Sequence, residues 1–342
     1  MDETTVDVLV VGGGAAGLSG ALTLARARRS VVVLDAGEPR NAPAEGVHGF
    51  LSRDGVPPRE LLGIGAEEVA GYGGRVLHAR AVSAGRDGER FVVGTDDGRT
   101  FAARRLLVTT GLVDELPGIP GLRERFGRDV LHCPYCHGWE VRDEPIGVLG
   151  TGPMAMHQTL LFRQLSDRVT LFLNTAPDPT DEEWEQLAAR DVAVVEGPVV
   201  GLETEDGRLS GVRLAGGTVV PVRALVVMPR FVARSEVLAG LGLHATEHPR
   251  GVGTRIEADP SGATAVPGVW VAGNVTDPVA NVVAAAAAGA GAAAAINADL
   301  VAADTAAAVR RRRDPFGAAG EAGVAERVLG HRRHGLAVSP GA

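Results

Sequence analysis

Cysteine occurs twice in these 342 residues, at Cys133 and Cys136, within the stretch HCPYCH. His132 and His137, two of nine histidines, flank the pair. An i, i+3 spacing puts both sulfurs on one face of a helical turn, within reach of a disulfide. Pro134 suits the first position of such a helix. A helix N-terminus and a nearby imidazolium both favour thiolate. The residue types therefore point to thiol–disulfide exchange, with His132 or His137 taking a thiol proton near neutral pH. Two other readings are a structural zinc site and inert core thiols. HCPYCH offers four ligands, but adjacent Cys136 and His137 do not chelate one ion comfortably, and no second ligand pair occurs elsewhere. No metal is expected.

Thiol exchange moves two electrons, so the chain needs a redox partner for the pair. The elements that would hold one stand at the N-terminus. Val6 to Val11 is an apolar run suited to a buried parallel strand. Gly12, Gly14 and Gly17 follow as G-x-G-x-x-G with Ala15 and Ala16 between them, then a helical pattern, then SVVVLD ending in Asp35. Such a turn lets backbone N–H groups approach a pyrophosphate at a helix N-terminus, and the terminal acid accepts from a ribose. The whole βαβ context makes this a dinucleotide site rather than a bare glycine turn.

A second unit repeats the pattern in PIGVLGTGPMAMHQTLLFRQLSDRVTLFLN, with Gly150, Gly152 and Ala155 as G-x-G-x-x-A. Two such folds in one chain suggest one for flavin and one for nicotinamide. The second departs from the pattern. Its second strand ends in Asn174 instead of an acid, no Arg follows in TAPDPTDEE, and Pro153 removes one N–H from the cradle. The expectation is a retained fold with weak or lost nicotinamide binding; completion of a normal site by distant residues is the alternative.

Segments such as RVLHARAVSA, RFVVGTDDGRTF and GVRLAGGTVVP read as β meanders. The predicted organisation is α/β: two Rossmann-like, three-layer ββα domains, the first split by the second. Residues 1–117 and 244–303 form the split domain, 118–243 the insert carrying the CxxC, and 304–342 a flexible tail.

Composition sets outer bounds. The chain is 45% hydrophobic with a formal net charge of -8, and all 34 of its basic residues are Arg. That balance speaks against nucleic-acid binding, which needs a concentrated basic face. Arg310 to Arg313 reads as a solvated cluster. The N-terminus has no basic region followed by a small-residue cleavage site, so a cytoplasmic protein is expected. The Ala-rich stretch 282–304 is expected to be a buried, tightly packed helix rather than a membrane span, since Ala and Gly drive insertion weakly.

Taken together, residues 6 to 303 resemble the low-molecular-weight thioredoxin-reductase-like flavoproteins. The resemblance implies FAD held by Gly12, Gly14, Ala15, Ala16, Gly17 and Asp35. It also implies a second flavin motif at Thr110 and Gly111, and a third at Gly273 and Asn274 where the family usually has Gly-Asp. His137 stands where thioredoxin reductases carry Asp, the basic cluster that reads NADPH is missing, and DAGEPRNAPAEGVHGFLSRDG replaces the usual flavin-proximal segment. These departures are similar to the FAD-dependent dithiol oxidases of the gliotoxin and holomycin type. That similarity implies a small-molecule dithiol substrate, Cys133 as interchange thiol, Cys136 facing the flavin, molecular oxygen as acceptor with release of hydrogen peroxide, and a homodimer. Rival readings are an NADPH-dependent disulfide reductase and an enzyme with a protein electron partner. Asp277 is a candidate to orient an imidazole, and His48 is expected to be structural.

Overall fold

The computed structural model describes residues 4–313 and 318–329. The chain opens with β1 (Thr4–Val11), α1 (Ala15–Arg26) and β2 (Val31–Asp35), the predicted βαβ unit. α2 (Pro58–Gly71) leads to β3 (Arg75–His78), and β4 (Ala81–Asp87), β5 (Arg90–Thr95) and β6 (Thr100–Val108) follow as an antiparallel meander. The sheet order is β3-β2-β1-β6-β5-β4, with β1 parallel to both β2 and β6. Val8, Leu9 and Val10 have no exposed surface, as the unbroken apolar run requires of a central parallel strand.

β7 (Leu112–Glu115) leaves this sheet. Then come α3 (Leu122–Arg125), β8 (Val130–Leu131), α4 (Pro134–His137), β9 (Ile146–Leu149), α5 (Ala155–Phe162), β10 (Val169–Phe172), α6 (Asp181–Ala189) and β11 (Ala193–Val195). A second meander, β12 (Val199–Glu205), β13 (Arg208–Leu214) and β14 (Val219–Pro221), precedes β15 (Ala224–Val227). The second sheet, β11-β10-β9-β15-β8, is parallel throughout. β16 (Arg230–Ala233) returns antiparallel to β7, so the two chain passes between the sheets are hydrogen-bonded to each other. After β17 (Thr246–Glu247) and β18 (Thr254–Arg255), β19 (Val269–Val271) rejoins the first sheet beside β6. The architecture is α/β with two Rossmann-like sheets, the first assembled from chain segments on either side of the second.

α7 (Val282–Arg313) is long and apolar enough by composition to cross a membrane. Its first part is instead packed on α1: Ala285, Ala286, Ala292 and Ala293 are buried, and a Cβ at Gly289 would stand 1.9 Å from the Ala16 carbonyl oxygen. That approach is the tight packing expected of the Ala/Gly stretch. Of the flexible tail expected from residue 304, the described residues are helical. α7 continues to Arg313 and α8 (Ala318–Leu329) follows. Ala and Arg are strong helix formers, and four Arg at the C-terminal end of α7 complement its dipole. Residues 314–317 and 330–342 lie outside the described residues.

Candidate active site

β8 ends at Leu131, held at the sheet edge by pairing with Val226. His132 and Cys133 follow in extended chain, and Pro134 starts the four-residue α4. Cys133 is the N-cap, and its carbonyl accepts from the His137 N–H at 3.2 Å. Cys133 and Cys136 are joined as a disulfide with Cα atoms 5.3 Å apart. Gly138 ends the turn in a tight place, where a Cβ would meet Leu165 and the Pro134 carbonyl at 2.3 Å.

Both cysteines line a cavity of about 730 Å³ that runs from α4 to the first glycine turn. That volume is ordinary for a cofactor-plus-substrate cleft. Gly12, Gly14, Ala15, Ala16, Asp35, Thr110, Gly111, Gly273, Asn274, His132 and His137 line the same cavity. Gly17 lies beneath it: its missing Cβ would be 1.9 Å from the Gly12 carbonyl oxygen, so this glycine lets strand and helix approach.

The turn fits a flavin dinucleotide. Gly12 takes φ +103°, and the first bond of α1 runs from the Leu18 N–H to the Gly14 carbonyl, which leaves the N–H groups at the start of the helix unused by the helix itself. A Cβ at Gly14 would point into open space. One Asp35 oxygen accepts from the Gly13 N–H at 3.0 Å, leaving the other for a ribose. Thr109, not singled out in the sequence, pins the turn by donating to the Gly12 carbonyl at 2.8 Å, whereas Thr110 donates to the Arg234 carbonyl. The Asn274 amide nitrogen donates to the carbonyls of Ala280 (2.9 Å), Asp277 (3.0 Å) and Pro278 (3.4 Å). Three acceptors around one end fix the amide's orientation and leave its oxygen as the remaining acceptor.

The histidines differ in environment. His132 stacks on Phe126 (centroids 5.8 Å apart) and meets Phe231 edge-on (5.9 Å). Burial, reinforced by the Arg40 guanidinium, lowers its pKa to about 4. His132 is therefore neutral at pH 7 and a poor proton acceptor. His137 is also lowered by burial, but the nearby Glu140 carboxylate opposes that shift while His48 adds to it. His48 lies on the cavity wall, 3.4 Å from Glu140 and 3.4 Å from Asp54. Asp277 does not meet these rings: its carboxylate accepts from the Val279 N–H at 3.3 Å, and it is not among the residues lining the cavity. The acid beside His137 is Glu140, three residues on, a proximity that helical spacing makes readable.

Gly150 and Gly152 do not line the cavity. Gly150 is held tightly by the second sheet, a Cβ there meeting the Leu173 carbonyl oxygen at 2.5 Å. Asn174, at the position of the ribose-binding acid, has φ +47° and uses both ends of its amide internally. It donates to the Gly150 carbonyl at 3.2 Å and accepts from the Val199 N–H at 3.0 Å.

Arg40, Asp114 and Gln158 also line the cavity and carry no signal in the sequence. Arg40 makes a two-pronged ion pair with Asp114 (2.6 and 2.7 Å) with its guanidinium over the Phe231 ring. Gln158 is buried, donates to the His132 carbonyl at 3.1 Å, and leaves its side-chain oxygen unpaired. Arg40 and Asp114 are 74 residues apart, and no local pattern announces their pairing.

Comparison with known proteins agrees with this architecture. The profile of the pyridine nucleotide-disulphide oxidoreductases matches residues 6–290. Thioredoxin reductase sirT of Leptosphaeria maculans is 31% identical over 320 residues, 88% of this chain and 96% of that protein. A probable thioredoxin reductase of Arthroderma benhamiae is 34% identical over 179 residues, but there the match spans 50% of this chain and only 44% of that protein. The crystal structure of HlmI superimposes with a TM-score of 0.85 at 48% identity, over 92% of this chain and 98% of that one. With a family match across nearly the whole of both sheets, the chain belongs to the pyridine nucleotide-disulphide oxidoreductase family.

Proposed function

We propose that this protein is an FAD-dependent dithiol oxidase that closes a disulfide in a small-molecule dithiol and delivers the electrons to molecular oxygen, forming hydrogen peroxide. One observation carries the reading. The Cys133–Cys136 disulfide shares a cavity with the first glycine turn, while Gly150 and Gly152 of the second turn do not line it and the acid position of that unit is occupied by an internally bonded Asn174. Electrons thus have a path between substrate and flavin, and nicotinamide has no evident ribose partner. The likeness to HlmI and sirT supports the family setting.

FAD would be held by the Gly12–Gly17 turn, Asp35 and the Asn274 oxygen, and when bound it supplies the two-electron acceptor that reoxidises the cysteine pair and passes electrons to oxygen. The chain's own residues do the rest. A substrate thiol gives its proton to neutral His137, and the thiolate attacks Cys133, breaking the Cys133–Cys136 bond and forming a mixed disulfide. The second substrate thiolate attacks the substrate sulfur of that mixed disulfide. Cys133 leaves, the product disulfide closes, and the chain holds a dithiol carrying the two electrons and, between its sulfurs and His137, the two protons. His132, neutral and wedged between two rings, fixes the chain at Cys133 and takes no proton.

The test is anaerobic. The flavin-loaded protein is mixed with excess NADPH, and separately with dithiothreitol, while the blue absorbance band is followed. Bleaching by the dithiol alone, with colour and peroxide appearing on admission of air, is the expected result. Rapid bleaching by NADPH would make the protein a reductase. Bleaching by dithiol with slow recovery in air would replace oxygen by a protein electron acceptor.

A further inference from the structure

One wall of the cavity, beside the disulfide, is built of flat groups in sequence. Phe126 stacks on His132, His132 meets Phe231, and the Arg40 guanidinium lies 5.2 Å over the Phe231 ring. Arg40 is fixed from its far side. Its Nε and Nη2 donate to the two oxygens of Asp114 at 2.7 and 2.6 Å, and the Asp114 side chain is only 9% exposed. Such a two-pronged pair orients the guanidinium plane and cancels most of its charge. A guanidinium carries five N–H donors and no acceptor. Two of Arg40's donors go to Asp114; those on Nη1 have no protein acceptor among the described residues, on a side chain that lines the cavity and stays 24% exposed. Gln158, donating to the His132 carbonyl, holds the neighbouring piece of wall.

A donor-only edge asks for an oxygen acceptor. Because Asp114 already neutralises Arg40, the edge favours a neutral carbonyl over a second carboxylate, which would be drawn to the cation and repelled by Asp114 alike. The adjoining aromatic rings favour a flat group beside it. We propose that Arg40 is a specificity-determining residue whose free edge binds a carbonyl oxygen of the substrate, so that the preferred substrates are dithiols carrying a planar acyl or amide group. The proposal rests on the reading of this cavity as a dithiol-oxidising site. A carbonyl of the bound flavin presents the same chemistry, and the experiment separates the two sources.

Two dithiols serve as probes: N,N′-bis(mercaptoacetyl)hydrazine, which has planar carbonyls, and dithiothreitol, which has none. Oxygen uptake by the flavin-loaded protein is compared with that of Arg40→Met/Asp114→Leu, a pair of changes that leaves no buried lone carboxylate. Arg40→Lys is the second variant; it keeps the charge facing Asp114 and lacks the planar fork. The expected result is a fall of about tenfold or more in the ratio of kcat/KM for the carbonyl dithiol to kcat/KM for dithiothreitol, the scale of one hydrogen bond to a charged donor. Flavin content and spectrum should stay as in the parent. An unchanged ratio overturns the proposal. Equal loss on both probes, together with lost or spectrally shifted flavin, assigns the edge to the flavin and overturns it as well. If the parent oxidises neither probe, the functional reading fails, and the subsite is judged by ligand-observed NMR with N,N′-diacetylhydrazine. Binding to the parent and not to the variants then sustains the carbonyl site, and equal signals reject it.

Discussion

Replacing Asn274 by Asp restores the residue common in the family that this chain resembles, yet the structure makes it destabilising here. The Asn274 amide nitrogen donates to the carbonyls of Ala280 and Asp277 at 2.9 and 3.0 Å, with Pro278 further off at 3.4 Å. A carboxylate has no donor to offer, so two well-formed hydrogen bonds are lost, each worth about 1 kcal/mol net. The carboxylate oxygen would then face three carbonyl oxygens, which adds a repulsion of about 1 kcal/mol, moderated by the partial exposure of the site. The sum is about 2–3 kcal/mol, or a fall in Tm on the order of 3–4 °C for a chain of this size. The new carboxyl is pushed up by its neighbours, because only its protonated form can donate. The deficit is therefore greatest at neutral pH and shrinks as pH falls through that raised pKa. Thermal unfolding of Asn274→Asp at pH 7 and pH 5, followed by flavin fluorescence and circular dichroism, measures both effects. A variant within about 0.5 kcal/mol of the parent at pH 7 would refute the reasoning and mean that the loop after Asn274 does not depend on this amide.

Other outcomes follow from the same structure. His137→Ala should lower dithiol turnover by about 10²–10⁴-fold. Because burial lowers the His137 pKa, the parent's rate should fall with decreasing pH through a value below the ordinary 6.5, and the variant's profile should lose that limb. His132, neutral in the fold down to about pH 4, binds a proton in the unfolded chain near 6.5. The unfolded state therefore holds more protons between those values, and the protein loses up to about 3 kcal/mol as pH falls from 6.5 to 4. His132→Phe should flatten that slope in urea titrations. Gly17→Ala places a methyl 1.9 Å from the Gly12 carbonyl oxygen, so it should cost about 3 kcal/mol or more and yield protein without flavin, read from the 450 nm to 280 nm absorbance ratio.

Much of the fold was legible because its signals are local. An apolar run, three glycines, a helical pattern and a terminal acid lie within residues 6 to 35, and each is set by backbone geometry that any reader of the sequence can apply. The second unit was legible for the same reason, including the departure at Asn174. That Cys133 and Cys136 can meet on one turn was legible from HCPYCH alone. The reading failed where composition stood in for structure. Polar residues after 304 suggested a flexible tail, but Ala and Arg are also good helix formers, and α7 continues through them. Asp277 is a candidate by residue type to orient an imidazole, yet its loop turns it onto the Val279 N–H.

What the sequence determined by itself is the set of parts: a dinucleotide turn with its acid, a second turn without one, and a cysteine pair between histidines. These follow from spacing and side-chain chemistry. Only the tertiary structure decided which parts share a cavity and in what state. It set the first turn, Asn274 and α4 around one space and left Gly150 and Gly152 of the second turn off its wall. It separated two histidines that look equivalent in HCPYCH, because Phe126 and Phe231 close on His132 while Glu140 stands by His137. It paired Arg40 with Asp114 across 74 residues. Burial and long-range contact depend on how distant segments fold back on each other, and no local pattern encodes the environment that fixes a side chain's charge or its free hydrogen-bonding edge.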